Sequence, residues 1–407
     1  MEHDAIVAGA GIWGCTLARR LAEAGRKVLV LEKRAAVGGN CRCEIDTETG
    51  IEIHAYGSHI FHTKNEKVWS FVNRFAKFND YRHCVLARTR ALPPDADERR
   101  RKEVEVENGR VYHLPIGCTL LKEFFGRELK PSELSAADKN AIFEAFIKGY
   151  TSKQWGMPPD KVDPSVIKRL KVRDSCSTDY FDDPHQGIPV DGYNALFERM
   201  LDHPNIEVET EMTLKAAGTG FRAVRNLGSP QDSFEVDCGA PGVCALPVYY
   251  SGPIDALFDY KFGALPWRTL WFETERLPVA DYQRNSVVNY PDIGVPYTRI
   301  HEFRHYHPES EGRLPLSTPA ASLRLSSTVI MREYSKAWKP GDEPYYPINN
   351  PESAALLAKY QEEVDRLSTS IPSLHLVIGG RLGGYRYYDM DQAMAAALEV
   401  PFPGSRG

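Results

Sequence analysis

The feature that most constrains the fold is a glycine fingerprint near the N-terminus, between two apolar runs. Ala5 to Ala8 is rich in strand formers, Gly9-Ala10-Gly11-Ile12-Trp13-Gly14 follows, and a helical apolar pattern comes next. Lys27 to Leu31 has the pattern of a second strand, which ends at Glu32. The order strand, GxGxxG, helix, strand and acid is that of a dinucleotide-binding βαβ unit. Gly9, Gly11 and Gly14 permit a tight turn close to a pyrophosphate, and Glu32 is placed to accept hydrogen bonds from a ribose diol.

The residues after Glu32 favour FAD over a nicotinamide cofactor. Lys33 follows the acid directly, and a second glycine pair, Gly38 and Gly39, precedes Asn40. Such a pair soon after the ribose acid is typical of two-domain flavoproteins, which wrap more chain around FAD than NAD enzymes wrap around their cofactor. We therefore expect these four residues to contact FAD.

A second glycine-dense segment, Gly379 to Gln392, lies near the C-terminus. Its glycines let the backbone approach a ligand closely, while its Arg and Tyr side chains offer charge-assisted hydrogen bonds and flat stacking surfaces. Asp389 precedes good helix formers, so the sequence predicts a helix start whose N–H groups can face an electron-rich part of a cofactor. Taken alone, the segment is equally consistent with a surface β-turn followed by a terminal helix.

Length and composition indicate a large globular protein without a membrane or nucleic-acid partner. The 407 residues can bury a large core in two or three lobes, and 42% of them are hydrophobic. A net charge of −5 provides no basic field for nucleic acid or anionic membranes. We expect no signal peptide and no membrane span. The eight cysteines lack metal-site spacing, which favours isolated thiols in a reducing cytoplasm and no metal site.

The rest of the chain divides by pattern. Residues 91–108 are dense in charges of both signs, which indicates a solvated excursion. Helix formers dominate from Leu120 to Ile147, and residues 352–368 have the apolar spacing of an amphipathic helix. Strand-like runs such as Arg268 to Glu273 and Ser286 to Tyr290 predict a sheet before that helix.

Three clusters of aromatic and cationic residues indicate a second nucleotide besides the cofactor. They are Phe146 to Gly156; Lys168 to Arg173 with Asp179 to Phe181; and Val288 to Tyr290 with Tyr297 to Arg299 and Arg332 to Tyr334. Aromatic rings stack on nucleobases, and arginines bind pyrophosphate bidentately. Each cluster alone is more simply explained by core aromatics and surface arginines. Their combination with a dinucleotide site favours a nucleotide-bearing substrate.

Four motifs resemble those of the bacterial UDP-galactopyranose mutase family. They are Gly57 to Thr63, Gly149 to Gly156, Tyr297 to Arg299 and Gly380 to Gln392, and the resemblance runs from the first strand almost to the C-terminus. It implies an α/β fold: a Rossmann-like FAD-binding domain with an inserted helical lobe and an antiparallel β-sheet substrate domain. The implied domains are residues 1–85 with 187–258 and 370–407 for FAD, 109–186 for a helical lobe with a mobile substrate lid, and 259–369 for the sheet.

The resemblance also implies a redox-neutral reaction in which FAD is active when reduced. UDP-galactopyranose and UDP-galactofuranose are interconverted, with the flavin N5 as nucleophile at the anomeric carbon, and the product supplies cell-surface glycans. NAD(P)H or another reductant is the implied electron source, and a homodimer is left open. The cofactor then carries the difficult chemistry while the protein supplies orientation and electrostatics.

Site residues are implied by the matching motifs. Catalytic roles are implied for Arg169, Arg299 and His59, the two arginines as a grip on the diphosphate and the histidine beside the flavin. Flavin contacts are implied for Tyr56, Gly57, Arg381, Asp389 and Met390. Substrate contacts are implied for Phe146, Tyr150, Trp155, Arg173, Tyr180, Phe181, Asn289, Tyr334 and Tyr387.

Other functions stay open at this point. The chain is also compatible with a mutase for another nucleotide hexose, because few side chains read the sugar hydroxyls. An FAD oxidoreductase of the amine-oxidase type shares the N-terminal fingerprint but needs a substrate cage without paired arginines. A flavin-binding protein that has lost catalysis is a further alternative, which weak FAD retention would favour.

Overall fold

Two large β-sheets organise the chain. The computed structural model describes residues 3–162, 172–218, 220–226, 234–236, 246–307, 326–371 and 374–402. Its strands are β1 (Ala5–Ala8), β2 (Val28–Glu32), β3 (Cys43–Ile45), β4 (Glu52–His54), β5 (Phe61–Thr63), β6 (Val85–Thr89), β7 (Arg110–Leu114), β8 (His185–Gly187), β9 (Ile206–Thr210), β10 (Met212–Ala217), β11 (Gly220–Arg225), β12 (Phe234–Val236), β13 (Val248–Tyr250), β14 (Trp267–Leu277), β15 (Val287–Asn289), β16 (Arg299–Glu302), β17 (Thr328–Ala337), β18 (Tyr346–Pro347) and β19 (Leu376–Ile378). Its helices are α1 (Ile12–Glu23), α2 (Glu66–Val72), α3 (Glu98–Glu107), α4 (Cys118–Phe125), α5 (Ala136–Ile142), α6 (Gly149–Trp155), α7 (Gly192–Leu201), α8 (Ile254–Leu257), α9 (Pro351–Ser370), α10 (Gly380–Gly383) and α11 (Met390–Glu399), with a π-helical segment at Phe143–Lys148.

The first sheet carries the glycine fingerprint. Its strand order is β19-β13-β1-β2-β9, and all neighbouring strands are parallel. Along β1 the side chains alternate, so that Ala5 and Val7 join one hydrophobic cluster and Ile6 and Ala8 join another. Both faces of the sheet are therefore buried, as is usual for parallel sheets. The Rossmann-like part of the predicted fold class is confirmed.

The second sheet has seven strands in the order β18-β14-β17-β16-β15-β6-β7. Its pairs are antiparallel except for β15 with β6. In its register Arg299 pairs with Asn289 on one side and with Glu333 on the other. The antiparallel sheet of the predicted fold class is confirmed too. The sheet is wider than residues 259–369, because β6 and β7 extend it at one edge; the domain limits remain predictions.

A helical lobe contains α4, α5, the π-helical segment and α6. Its core includes Leu120, Phe124 and Ile142, which pack with Tyr112 from β7. The excursion at residues 91–108 contains α3, whose one buried residue is Val104. The predicted amphipathic helix at residues 352–368 is confirmed as α9, where the Asn350 side chain accepts a hydrogen bond from Ser353 N at 2.7 Å.

Candidate active site

The fingerprint glycines form a cradle at the start of α1. Gly9 has a φ of +103°, a conformation that favours glycine. A Cβ atom on Gly14 would collide with the carbonyl oxygen of Gly9, and one on Gly39 would lie 3.0 Å from the Cα of Gly11. No side chain caps the N-terminus of α1 at Gly11. A helix start that no side chain caps, beside glycines that carry no side chains, suits a pyrophosphate.

Glu32 ends β2 beside this cradle. Its Oε2 accepts a hydrogen bond from Ala10 N at 2.7 Å, and its Oε1 accepts one from Arg34 N at 3.0 Å. The guanidinium of Arg34 lies 4.3 Å from the ring centre of Tyr56. Its Nε and Nη1 are buried and have no partner among the described residues. Because buried N–H groups are normally paired, Arg34 is suited to a polar or anionic ligand.

A cavity of about 480 Å³ runs past the cradle to the C-terminal glycine segment. Predicted cofactor residues on its wall are Gly9, Gly11, Glu32, Lys33, Gly38, Gly39, Asn40, Arg381, Asp389 and Met390, joined by His59. Three others lie behind the wall: Gly14 packs on Gly9, Tyr56 contacts Arg34, and Gly57 packs near Phe272. The cradle, the helix start and the acid fit the pyrophosphate and ribose of a dinucleotide such as FAD.

The hydrogen bonds of His59 define which of its ring nitrogens carries the proton. Its Nδ1 lies 2.6 Å from the carbonyl oxygen of Gly57, and its backbone N donates to His54 Nδ1 at 2.9 Å. Burial and the nearby charge of Arg381 lower the pKa of His59 to about 4. The ring is therefore neutral at pH 7. Since Nδ1–H donates to the carbonyl, Nε2 is left as a hydrogen-bond acceptor.

Arg299 and Glu333 form the second charged centre. Arg299 Nε lies 3.3 Å from Glu333 Oε1, and only 3% of the Glu333 side chain is exposed. Glu333 also accepts hydrogen bonds from Thr298 Oγ1 at 3.1 Å and pairs with His301 Nε2 at 3.0 Å. Burial opposes both charges, but their attraction outweighs it. The pKa of Arg299 is accordingly raised and that of Glu333 lowered.

Hydroxyl groups surround the Arg299 guanidinium. Its Nη2 donates to the hydroxyl of Tyr150, and Tyr346 and Tyr180 lie close enough to raise its pKa. Asn289 is 9% exposed, and its Oδ1 has no partner among the described residues. A cation and phenolic donors suit a diphosphate, whereas the amide oxygen of Asn289 can accept from an N–H or hydroxyl group elsewhere in a ligand.

One layer of aromatic rings joins this centre to the cofactor cavity. Arg381, on the cavity wall, lies 4.9 Å from the ring centre of Tyr387. Tyr387 stacks with Tyr346 at 6.0 Å and 15°, and Trp155 lies 6.0 Å from Tyr346. The structure therefore brings together the predicted residues Tyr150, Trp155, Asn289, Arg299 and Tyr387.

Three further predicted substrate residues make ring contacts with the protein, and their substrate roles stay predictions. Phe146 is 7% exposed and packs edge-on against Tyr112 and Phe124 in the core of the helical lobe. Phe181 stacks on two imidazoles, with centroids 3.6 Å from His62 and 5.4 Å from His83. Tyr334 stacks on Trp271 at 3.9 Å, on the face of the sheet opposite Glu333.

Two predicted arginines precede Tyr180 in the chain. Arg169 lies outside the described residues. Arg173 donates from Nη2 to the carbonyl oxygen of Tyr180 at 2.9 Å and pairs with Asp182 at 3.0 Å. Arg173 thus fixes the backbone that carries Tyr180.

The prediction missed Glu333 and Tyr346. The alternation of a strand was the available signal for Glu333, because it places this residue and Tyr334 on opposite faces. For Tyr346 the signal was an aromatic pair between Pro344 and Pro347. Neither pattern alone shows which of the candidate tyrosines faces Arg299.

Comparison with known proteins identifies the fold and the family. Residues 7–75 match the model of an NAD(P)-binding Rossmann-like domain. Fold and site thus define a protein with a flavoprotein-type Rossmann fold and a second charged centre at Arg299. Residues 145–387 match the model of UDP-galactopyranose mutase. The chain belongs to the UDP-galactopyranose mutase family.

Two curated relatives span nearly the whole chain. It is 34% identical to a probable UDP-galactopyranose mutase of Klebsiella pneumoniae, over 98% of this chain and 94% of the relative. It is 33% identical to a dTDP-fucopyranose mutase of Escherichia coli, over 98% and 97%. The two relatives are thus about equally similar to this chain.

Solved structures share the fold. A crystal structure of reduced UDP-galactopyranose mutase has a TM-score of 0.60 at 16% identity, and covers 98% of this chain and 94% of its own. A putative protoporphyrinogen oxidase from Exiguobacterium has a TM-score of 0.53 at 11% identity, over 98% and 97%. Mutases and oxidases therefore share this fold. Within the described part of the chain, no helix combines the length and apolar character needed to cross a bilayer.

Proposed function

We propose that this protein is a flavin-dependent mutase that interconverts UDP-galactopyranose and UDP-galactofuranose. The observation that carries the proposal is the charged, hydroxyl-lined centre at Arg299, which lies one aromatic layer from the dinucleotide cavity. An arginine there suits a leaving diphosphate, whereas an amine oxidase needs a cage for an uncharged or cationic substrate. Membership of the mutase family supports the same function.

In this proposal the side chains bind, orient and hold charge. Arg299, with the hydroxyls of Tyr150 and Tyr346, binds the diphosphate, and Glu333 fixes the guanidinium from behind. Arg169, by its matching motif, supplies a second positive charge. When FAD is bound and reduced, by NAD(P)H or another reductant, it supplies a nucleophile at N5 for the anomeric carbon. The arginines keep the released diphosphate close enough to bond to the sugar again, and no net electrons are transferred.

A second substrate is a specific alternative. The dTDP-fucopyranose mutase relative is 33% identical, against 34% for the probable UDP-galactopyranose mutase, which does not separate the two. Both substrates offer a pyrimidine nucleotide, a diphosphate and a hexose. Arg299 and the tyrosines around it would bind the shared diphosphate in either case.

The test is product formation under anaerobic conditions. The FAD-loaded protein is incubated with UDP-galactofuranose, with and without dithionite, and the nucleotide sugars are separated by chromatography; dTDP-fucopyranose is treated in parallel. UDP-galactopyranose formed only with dithionite supports the proposal. Conversion of the dTDP-sugar alone would make it the substrate in place of the UDP-sugar. Conversion of neither sugar nucleotide, despite a reducible flavin, would overturn the proposed mutase activity and favour an oxidoreductase.

A further inference from the structure

Lys153 occupies a cage of backbone carbonyl oxygens. Its Nζ lies 2.5 Å from Tyr290 O, 3.0 Å from Asp292 O, 2.9 Å from Val295 O and 2.8 Å from Tyr297 O. An ammonium group has three N–H donors and faces four acceptors here, so the cage is shaped for a cation. Most lysines instead hold their charge in solvent.

The cage is built by the loop that separates β15 from β16. Asn289 precedes this loop and Arg299 follows it, and Tyr290 N donates to Thr298 O at 2.9 Å across its base. Lys153 itself belongs to α6, which also carries Tyr150 and Trp155. One ammonium group therefore joins the helix of the aromatic residues to the loop that ends at Arg299.

The helix approaches this loop closely at one further point. A Cβ on Gly149 would collide with the carbonyl oxygen of Pro291 and lie 3.3 Å from Ile293 N. Gly149 and Lys153 are four residues apart and so lie on the same face of α6. The helix is thus held against the loop by a close backbone approach and by the lysine, one turn apart.

We propose that Lys153 is a positioning residue for the diphosphate centre, which acts by fixing Tyr150 against Arg299. The proposal rests on the proposed function and deepens it. Without the ammonium group four carbonyl oxygens lose their donor, and α6 loses its tie to the loop. Tyr150, one turn before Lys153, would then no longer meet the guanidinium at the distance that the structure shows.

Three variants test this in the FAD-loaded protein. Lys153→Ala empties the cage, Lys153→Met keeps the aliphatic stem without the charge, and Lys148→Ala is the matched control. Lys148 lies just before α6 and its Nζ pairs with Glu144 at 2.9 Å at the surface. The first readout is the Kd for UDP, or for dTDP if the wild type binds only that, by titration calorimetry. We expect both Lys153 variants to bind about tenfold or more weakly, and Lys148→Ala to match the wild type.

Two further readouts separate positioning from general stability. Ammonium or methylammonium ions should restore nucleotide binding to Lys153→Ala, while tetramethylammonium, which has no N–H group, should not. In a double-mutant cycle, Lys153→Ala and Tyr150→Phe should be non-additive, because both break the contact of Tyr150 with Arg299.

Additive losses, equal effects of Lys153→Ala and Lys148→Ala, or absence of rescue by ammonium would overturn the proposal. Lys153 variants that lose their FAD or their fold are refolded with FAD in the presence of ammonium ions. Recovery of the folded protein by ammonium, without any coupling between Lys153 and Tyr150 in nucleotide binding, would also overturn the proposal. Nucleotide binding is measured without turnover. A protein that shows the expected losses and coupling but converts neither sugar nucleotide would refute the proposed function and leave the role of Lys153 standing; a protein that binds neither UDP nor dTDP would refute both.

Discussion

Arg299 and Glu333 face each other across neighbouring strands, with Arg299 Nε 3.3 Å from Glu333 Oε1. The carboxylate also meets Thr298 and His301, so three side chains fix it before any ligand binds. The contact with Glu333 involves Nε of Arg299, which leaves other N–H groups of the guanidinium for an anion. The pair thus prepares a positive charge of fixed orientation beside the cofactor cavity.

Replacement of Glu333 by Gln should destabilise the protein, because it leaves the Arg299 charge without its buried partner. Removing one partner of a buried ion pair leaves an uncompensated charge and typically lowers stability by about 3–5 kcal/mol. We expect Glu333→Gln to lower the thermal midpoint clearly, and UDP to raise it more than in the wild type, because the diphosphate then supplies the missing negative charge. Differential scanning fluorimetry with and without UDP measures both effects.

The control for this experiment is Glu275→Gln on β14, which pairs with the other edge of β17. Glu275 accepts from Arg332 at 2.8 Å but is 45% exposed, and surface pairs contribute about 0–1 kcal/mol. The thermal midpoint of this variant should stay close to that of the wild type. Equal losses in the two variants would contradict the special role of the Arg299–Glu333 pair.

Tyr346 and Tyr334 give a direct contrast. Tyr346 lies beside Tyr387 and close enough to Arg299 for the guanidinium to affect its pKa, whereas Tyr334 donates to Glu273 at 2.8 Å on the opposite face of the sheet from Glu333. We expect Tyr346→Phe to weaken UDP binding about tenfold or more, since a hydrogen bond to a charged group contributes about 1.5–3 kcal/mol, and Tyr334→Phe to leave it unchanged. Fluorescence titration with UDP distinguishes them. A loss in Tyr334→Phe and none in Tyr346→Phe would instead support Tyr334, the residue predicted from the sequence.

Flavin retention should depend on Gly14 through sterics alone. A methyl group there would collide with the carbonyl oxygen of Gly9 and displace the turn of the cradle. We expect Gly14→Ala to be purified with much less flavin, as measured by the absorbance ratio of flavin to protein. Gly294→Ala is the control, because a Cβ on Gly294 meets nothing within 4 Å. Full flavin content in Gly14→Ala would argue against the cradle as the pyrophosphate site.

The cofactor half of the fold could be predicted because its signals are local. Strand, glycine turn, helix, strand and Glu32 follow one another within one βαβ unit, and each element carries its own pattern. Asp389 likewise precedes α11 directly, and its backbone N donates to Gln392 Oε1 at 3.0 Å. Such contacts join residues a few positions apart, so the sequence order already determines them.

The substrate half depends on contacts between distant residues. Phe181 and His62 are far apart in sequence, yet their rings stack at 3.6 Å, and no local pattern reveals this partner. Phe146 is predicted to contact the substrate from its motif, and its burial in the core of the helical lobe is likewise not visible in that motif. The cage around Lys153 consists of backbone carbonyl oxygens, which every residue possesses, and therefore leaves no trace in residue types.

Two buried histidines should make the protein less stable in mild acid. His54 is 1% exposed and His83 is 5% exposed, and burial lowers the pKa of each to about 3. In the unfolded chain a histidine has a pKa of about 6.5, so between about pH 6.5 and the folded values the unfolded state binds more protons. The free energy of unfolding therefore decreases as the pH is lowered through this window. At pH 5 it is lower than at pH 7 by on the order of 2 kcal/mol per histidine. Urea unfolding of the FAD-loaded protein at pH 7 and pH 5 measures the change.

The variant His83→Gln removes one of the two groups and should reduce the difference in the free energy of unfolding between pH 7 and pH 5. The control His185→Gln, at a side chain that is 25% exposed, should not reduce it. An unchanged difference in His83→Gln would show that protonation of His83 is not linked to unfolding.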